Sequence, residues 1–224
     1  MKFTEHVVIT LDGPAGAGKS TVAKMLAKKL GITYLDTGAM YRALTLKGLR
    51  LKMDLSDEEA LTILACNTKI SFTEMPDGSL NITLDGEDVA QAIRAPEVTN
   101  NTYYAARTAG VRTLMVAWQR AIGEAHSIVT DGRDQGTVVF RDAKYKFYID
   151  ADVEERVGRR FRELQAAGKH VDLDQLRIDM KDRDHKDFTR SVGPLKKAPD
   201  AITVDSTGLT VEGTVDKILK LMYL

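Results

Sequence analysis

The chain has 224 residues, with 32 Lys and Arg balanced by 32 Asp and Glu, so its formal net charge is zero. That balance argues against a bulk nucleic-acid binder, which carries a basic excess against phosphate, and the length suits one α/β core with insertions or two small domains. The single cysteine, Cys66, excludes an internal disulfide and reads as a small buried hydrophobe. The start "MKFTEHVVIT" lacks the apolar core of a signal peptide, and no apolar run reaches transmembrane length. The expectation is a cytoplasmic protein with neither a membrane nor a nucleic-acid partner.

"VVITL" is short, apolar and β-branched, as a buried parallel strand is. Helical spacing of Val22, Ala23, Leu26, Ala27 and Leu30 predicts a helix from Lys19, stopped by Gly31. "ITYLD" reads as a second strand, and Thr37 as the cap of a helix over "GAMYRALTLKGLRL". A serine-capped helix follows in "SDEEALTILACN". Then "KISFTE", a turn at "MPDG" and "SLNITLDGED" alternate apolar and polar residues like a hairpin or meander. That piece interrupts the strand–helix alternation, so it reads as an insertion of roughly forty residues.

One long helix is expected from Tyr103 to Glu124, with Val111, Leu114, Met115, Trp118 and Ile122 as its core stripe. "SIVTD" and "KYKFYIDA" are the next strands. Val153, Val157, Phe161 and Leu164 keep one apolar face on a helix that "AAGKHVDLDQ" breaks, and a second helix runs from Leu173 to Lys186. "DAITVDST" is a fifth strand, and "TVEGTVDKILKLM" a closing helix. Strands alternating with helices imply a parallel sheet covered on both faces.

Gly13-Pro14-Ala15-Gly16-Ala17-Gly18-Lys19-Ser20-Thr21 fits G-x-x-x-x-G-K-[ST] in the required setting of strand, loop and helix. Its backbone N–H groups point at phosphate oxygens, Lys19 reaches the β- and γ-phosphates, and the Ser20 hydroxyl is the protein ligand for Mg²⁺. A regulatory GTPase would carry Asn-Lys-x-Asp, which is absent. A small-molecule kinase needs a second, basic site at the carboxyl ends of the strands. Three stretches could build it. Thr37 and Arg42 open the helix after the second strand. Asp131, Arg133 and Asp134 end the strand "SIVTD". Arg156, Arg159, Arg160, Arg183 and Arg190 lie in the arginine-rich stretch beyond residue 153, among acidic residues that make several of them structural partners.

These residues identify the chain as resembling the bacterial cytidylate kinases. The resemblance covers nearly the whole sequence, through "LDGPAGAGKST", "DTGAMYRALT", "LDGEDV", "DGRDQGTVVFRDA", "EERVGRR", "KDRDHKDFTRSVGPLKKA" and "DSTGLTVEGTVDKI". It implies a P-loop NTPase fold: a five-stranded parallel sheet with helices on both faces, a small nucleoside-monophosphate-binding insertion with β-strands, and a helical lid. The corresponding ranges are 1–63, 106–152 and 191–224 for the core, 64–105 for the insertion and 153–190 for the lid. It also implies ATP and CMP or dCMP as substrates and Mg²⁺ as cofactor. Nothing in the sequence suggests an exposed interface helix, so a monomer is expected.

By position, the resemblance assigns Thr37, Arg42, Asp131, Arg133 and Arg190 to phosphate and nucleotide contacts, and Arg112 and Asp134 to the cytosine edge. It gives Arg183 and Asp187 to ribose or phosphate. Lys19, Arg133, Arg156, Arg160, Arg183 and Arg190 become the catalytic cations. Tyr103 falls where the family places a small serine near the base, with Thr102 one residue away. Independently of the family, a carboxylate paired with a guanidinium complements cytosine, whose N4 donates while N3 and O2 accept. A kinase for UMP or another acceptor remains an alternative. So does a non-catalytic, nucleoside-triphosphate-dependent switch, against which the arginine set counts.

Overall fold

The computed structural model describes residues 5–75 and 80–222. Strand β1 (Val8–Asp12) is buried along nearly its whole length, as its apolar run requires. It is the centre of a five-stranded sheet of order β2-β6-β1-β7-β8, formed with β2 (Thr33–Asp36), β6 (Ile128–Gly132), β7 (Tyr145–Asp150) and β8 (Ile202–Asp205). Every pairing in it is parallel. The register sets Asp12 level with Gly132, and Asp36 level with Asp131, so the two sequence motifs end side by side.

Helix α1 (Lys19–Leu30) leaves the phosphate loop through left-handed Gly18 and stops at left-handed Gly31. Val22, Ala23, Leu26 and Ala27 press on the sheet, together with Val215 and Ile218 of α8 (Val211–Met222). A second apolar cluster joins Met40 and Leu44 of α2 (Thr37–Arg50), Leu61 of α3 (Glu58–Cys66), and Val111 and Met115 of α5 (Ala109–Ala125). A small antiparallel sheet of β3 (Ile70–Glu74), β4 (Leu80–Leu84) and β5 (Glu87–Asp88) packs Ile82 and Leu84 on α2. Helices α6 (Val153–Ala166) and α7 (Leu173–Thr189) meet through Val157, Leu176 and Met180, with Val153, Phe161 and Leu164 alongside.

The structure corrects four local expectations. Asp36, not Thr37, caps α2: its side chain accepts the Ala39 N–H. Asp57, not Ser56, caps α3 in the same way. In both places two cap-forming residues stand together, and the carboxylate is the one that reaches the free N–H. The expected single helix from Tyr103 is two, α4 (Pro96–Arg107) and α5, broken where Thr108 turns extended. Two residues on, Gly110 packs closely on α3, where a Cβ would collide with Thr62. Cys66 is exposed rather than buried, because it ends α3 on the side away from Leu61 and Leu64. The expected "MPDG" turn lies, apart from Met75, outside the described residues.

Candidate active site

The phosphate loop is shaped by its close approaches. A Cβ on Gly13, whose φ is +149°, would overlap the Ile149 carbonyl oxygen, and one on Gly16, φ +76°, would come 2.8 Å from Met180 Cε. Pro14 and Ala15 are buried, and Ala17 accepts from Arg159 and Ser206 through its carbonyl. Lys19 is buried and donates to the Pro14 carbonyl at 2.7 Å. Burial, and then the nearby Arg133 guanidinium, push its ammonium down to about 7. Ser20 is exposed on the first turn of α1 and donates to Asp131 Oδ2 at 2.7 Å, with Thr21 exposed beside it.

The carboxyl ends of β2 and β6 carry the second half of the site. Asp131 also accepts from the Tyr34 hydroxyl at 2.8 Å, while its carbonyl accepts from Thr37 Oγ1 at 2.7 Å. Burial pushes the Asp131 carboxyl up. Arg42 folds back over Gly38 onto Asp36 at 2.9 Å. Arg133 Nε donates to Asp187 Oδ2 at 2.6 Å. Burial alone would raise the Asp187 carboxyl, but Arg133 holds it below its ordinary range. Arg183 stands one turn before Asp187, within electrostatic reach of Arg133.

Deeper in, Arg112 Nη2 pairs with Asp134 Oδ2 and its Nη1 donates to the Tyr41 hydroxyl at 3.3 Å. Arg190 reaches the other oxygen of Asp134 at 3.6 Å. All three charged groups are buried. Arg190 also bonds the Gly193 carbonyl. Gly193 has φ +57°, and a Cβ there would overlap Arg112 and come 2.5 Å from Asp134 Oδ2. Gly193→Ala is therefore expected to push the pair apart and to raise the KM for whatever substrate the pair holds by about 10- to 100-fold. Steady-state kinetics beside thermal unfolding check this, and an unchanged KM would separate Gly193 from the work of the pair.

Helix α7 touches both halves. In its middle, Met180 covers Gly16, and Asp184 accepts the Ala15 N–H at 3.1 Å and Arg156 at 2.5 Å. Arg156, buried on α6, also donates to the Ala15 carbonyl. At its end come Asp187 and Arg190. The second expected helix is thus three residues longer than read, carrying Arg183 within it.

Two expected residues stand apart. Arg160 is partly exposed and paired with Glu163 at 2.9 Å. Tyr103 lies on α4 with its ring between the Arg107 guanidinium, 5.5 Å away, and Lys186 Nζ, 5.7 Å away, rather than against Arg112 or Asp134. Thr102 is turned onto the Val98 carbonyl. Asp12, Tyr34, Asp184 and Gly193 were missed by sequence reasoning. Gly193 alone had a signal, its place beside Pro194 directly after the arginine stretch.

A parallel sheet with a phosphate loop after its central strand, and a cationic cleft at the same strand ends, defines a phosphotransferase of the P-loop kinase class. A family model described as cytidylate kinase matches residues 9–223. The chain is 50% identical over 217 residues to a cytidylate kinase of Desulforamulus reducens, covering 97% of each. It is 47% identical to one of Enterococcus faecalis, covering 95% of this chain and 93% of that one. The chain belongs to the cytidylate kinase family, nucleoside monophosphate kinases that transfer a phosphoryl group from ATP to CMP. Among solved structures, an uncharacterized protein from Eubacterium ventriosum aligns over 97% of the chain with a TM-score of 0.50 at 16% identity, a likeness of fold.

Proposed function

We propose that the chain phosphorylates CMP and dCMP from Mg-ATP, with the buried Arg112–Asp134 pair selecting the base. That pair is the observation that carries the proposal. Asp134 offers a carboxylate to the cytosine N4 amine, and Arg112 offers N–H groups to N3 and O2. Uracil presents an oxygen at position 4, leaving the carboxylate facing a lone pair, at a cost that disfavours UMP strongly.

The loop from Gly13 to Thr21 holds the ATP phosphates, and Thr37, Arg42, Asp131, Arg133, Arg183, Asp187 and Arg190 hold CMP, with Tyr103 at the rim. An ionised oxygen of the CMP phosphate attacks the γ-phosphorus in line. The new O–P bond forms as the bond to the β,γ-bridging oxygen breaks, and ADP leaves. No proton moves in this step, so no general base is needed. Lys19, Arg133, Arg156, Arg183 and Arg190 act by neutralising and orienting the oxygens that share the developing charge, and Arg160, which stands apart on Glu163, would join them only as segment 153–190 closes.

Ser20 suits Mg²⁺: its hydroxyl is a hard oxygen ligand, exposed, and backed by the Asp131 carboxylate. Among the described residues no group of three His, Cys, Asp or Glu could hold a metal alone. Ser20 would hold the ion, which would supply charge neutralisation to the triphosphate.

The segments 64–105 and 153–190 close over the core in this scheme and exclude water from the γ-phosphate. Among the described residues no helix is long and apolar enough to cross a membrane. A cytoplasmic location accords with ATP as the donor. The test is ADP release from Mg-ATP with CMP, dCMP, UMP and AMP as separate acceptors. Fast turnover on CMP and dCMP with UMP far behind is expected. Equal rates on UMP would overturn the base selection, and ATP binding without turnover on any acceptor would favour a switch protein.

A further inference from the structure

Asp134 occupies the position from which an aspartate ordinarily caps a helical turn. The residues after it, Gln135–Val139, form a single π-helical turn in which the Val138 and Val139 N–H groups return to the Asp134 carbonyl. The first N–H groups of such a turn have no partner within it, and a cap aspartate usually supplies one. The Asp134 side chain makes no cap bond here, because Arg112 and Arg190 hold its two oxygens. The free N–H groups go elsewhere. Gln135 donates to Asp12 Oδ1 at 2.9 Å, and Gly136 to Asp12 Oδ2 at 2.8 Å, both bonds fully buried.

We infer that Asp12 is a positioning residue for base selection: by capping the turn in place of Asp134, it leaves the Asp134 carboxylate free to face Arg112 and the acceptor base. Asp12 precedes the phosphate loop by one residue, yet its hydrogen bonds run to the acceptor turn. The fit around them is close. A Cβ on Gly136 would come 3.4 Å from Asp12 Oδ2 and 3.3 Å from both Thr10 Oγ1 and Lys146 Cδ, so a side chain there would crowd the turn against the sheet. The Gln135 side chain fixes the other side, accepting from Thr130 at 3.2 Å and donating to Gln119 at 3.1 Å. Burial pushes the Asp12 carboxyl up to about 6, which the two N–H donors oppose, so at neutral pH both oxygens accept.

In Asp12→Asn only one oxygen remains, and the amide NH₂ faces the second N–H. The Asp134 carboxylate then has an orphan donor at its own turn to bond instead of Arg112. The KM for CMP should rise about 10- to 100-fold and the preference for CMP over UMP fall about tenfold. ADP affinity, measured by calorimetry, should stay within about twofold, since the donor loop keeps all its bonds. A folded Asp12→Asn protein with unchanged KM and preference overturns the inference, as does a parallel loss of ADP affinity.

This assignment presupposes that Asp134 reads the base. If the wild-type protein has no preference for CMP over UMP, both fall. If Asp134→Asn abolishes the preference and Asp12→Asn keeps it, only the role of Asp12 falls. Should Asp12→Asn not fold, amide exchange in the wild-type protein decides. Gln135 and Gly136 should exchange as slowly as strand amides, and exchange at the rate of exposed loop amides overturns the inference.

Discussion

Arg133→Ala will lower kcat for CMP phosphorylation by about a thousandfold while the protein stays folded. Arg133 directly follows β6, bonded to Asp187 on one side and close enough to Lys19 to push its ammonium down. In the proposed reaction a guanidinium there would meet the oxygens of the phosphoryl group in transit, where charge develops. Removing it costs the transition state more than the ground state, so kcat falls further than KM rises. The fold is expected to tolerate the change, because the Asp187 carboxylate it releases still has Arg183 and Arg190 nearby. Kinetics and a thermal melt on one preparation test this; a fall in kcat of less than about tenfold would move the developing charge to another cation.

The second large effect belongs to Asp134→Asn. Two buried guanidiniums, Arg112 and Arg190, would then share a neutral amide. Their mutual repulsion and lost pairing should lower kcat/KM for CMP by about a hundredfold or more. The amide also presents an NH₂, which suits the uracil O4 and not the cytosine N4. Activity on UMP should fall far less, so the ratio between the two acceptors shifts toward UMP. The ratio is the decisive quantity. A variant that loses both activities equally has merely lost its pocket, and one that keeps the wild-type ratio would show that Asp134 does not read the base.

What the sequence made legible was whatever is encoded locally. The β1 strand and the loop after it follow from a β-branched run and a fixed glycine pattern, and the parallel sheet from strand–helix alternation; the order of its strands, β2-β6-β1-β7-β8, was not legible. Each corrected detail depends on something distant. Thr37 lost the cap to Asp36 because its hydroxyl donates to the carbonyl of Asp131 on a neighbouring strand. Just after the break at Thr108, Gly110 packs against Thr62 of α3, a contact 48 positions back. Asp184 and Asp12 bond partners 169 and more than 120 positions away, and no spacing rule connects such residues. Tyr103 was placed by its rank in a motif, while its ring is held by cations from α4 and α7.

Helix α7 has 17 residues, a rod of about 26 Å. Its middle rests on the donor loop through Asp184, and its end carries the proposed acceptor groups Asp187 and Arg190. A phosphate oxygen that claims the Ala15 N–H has to displace the Asp184 carboxylate from it. Where that displacement shifts the helix itself, a stiff rod carries the shift along its length to the proposed acceptor groups at its end. Such linkage is reciprocal: the factor by which ATP changes the affinity for CMP equals the factor by which CMP changes the affinity for ATP. The two nucleotides would then sense each other through this helix before their phosphates touch.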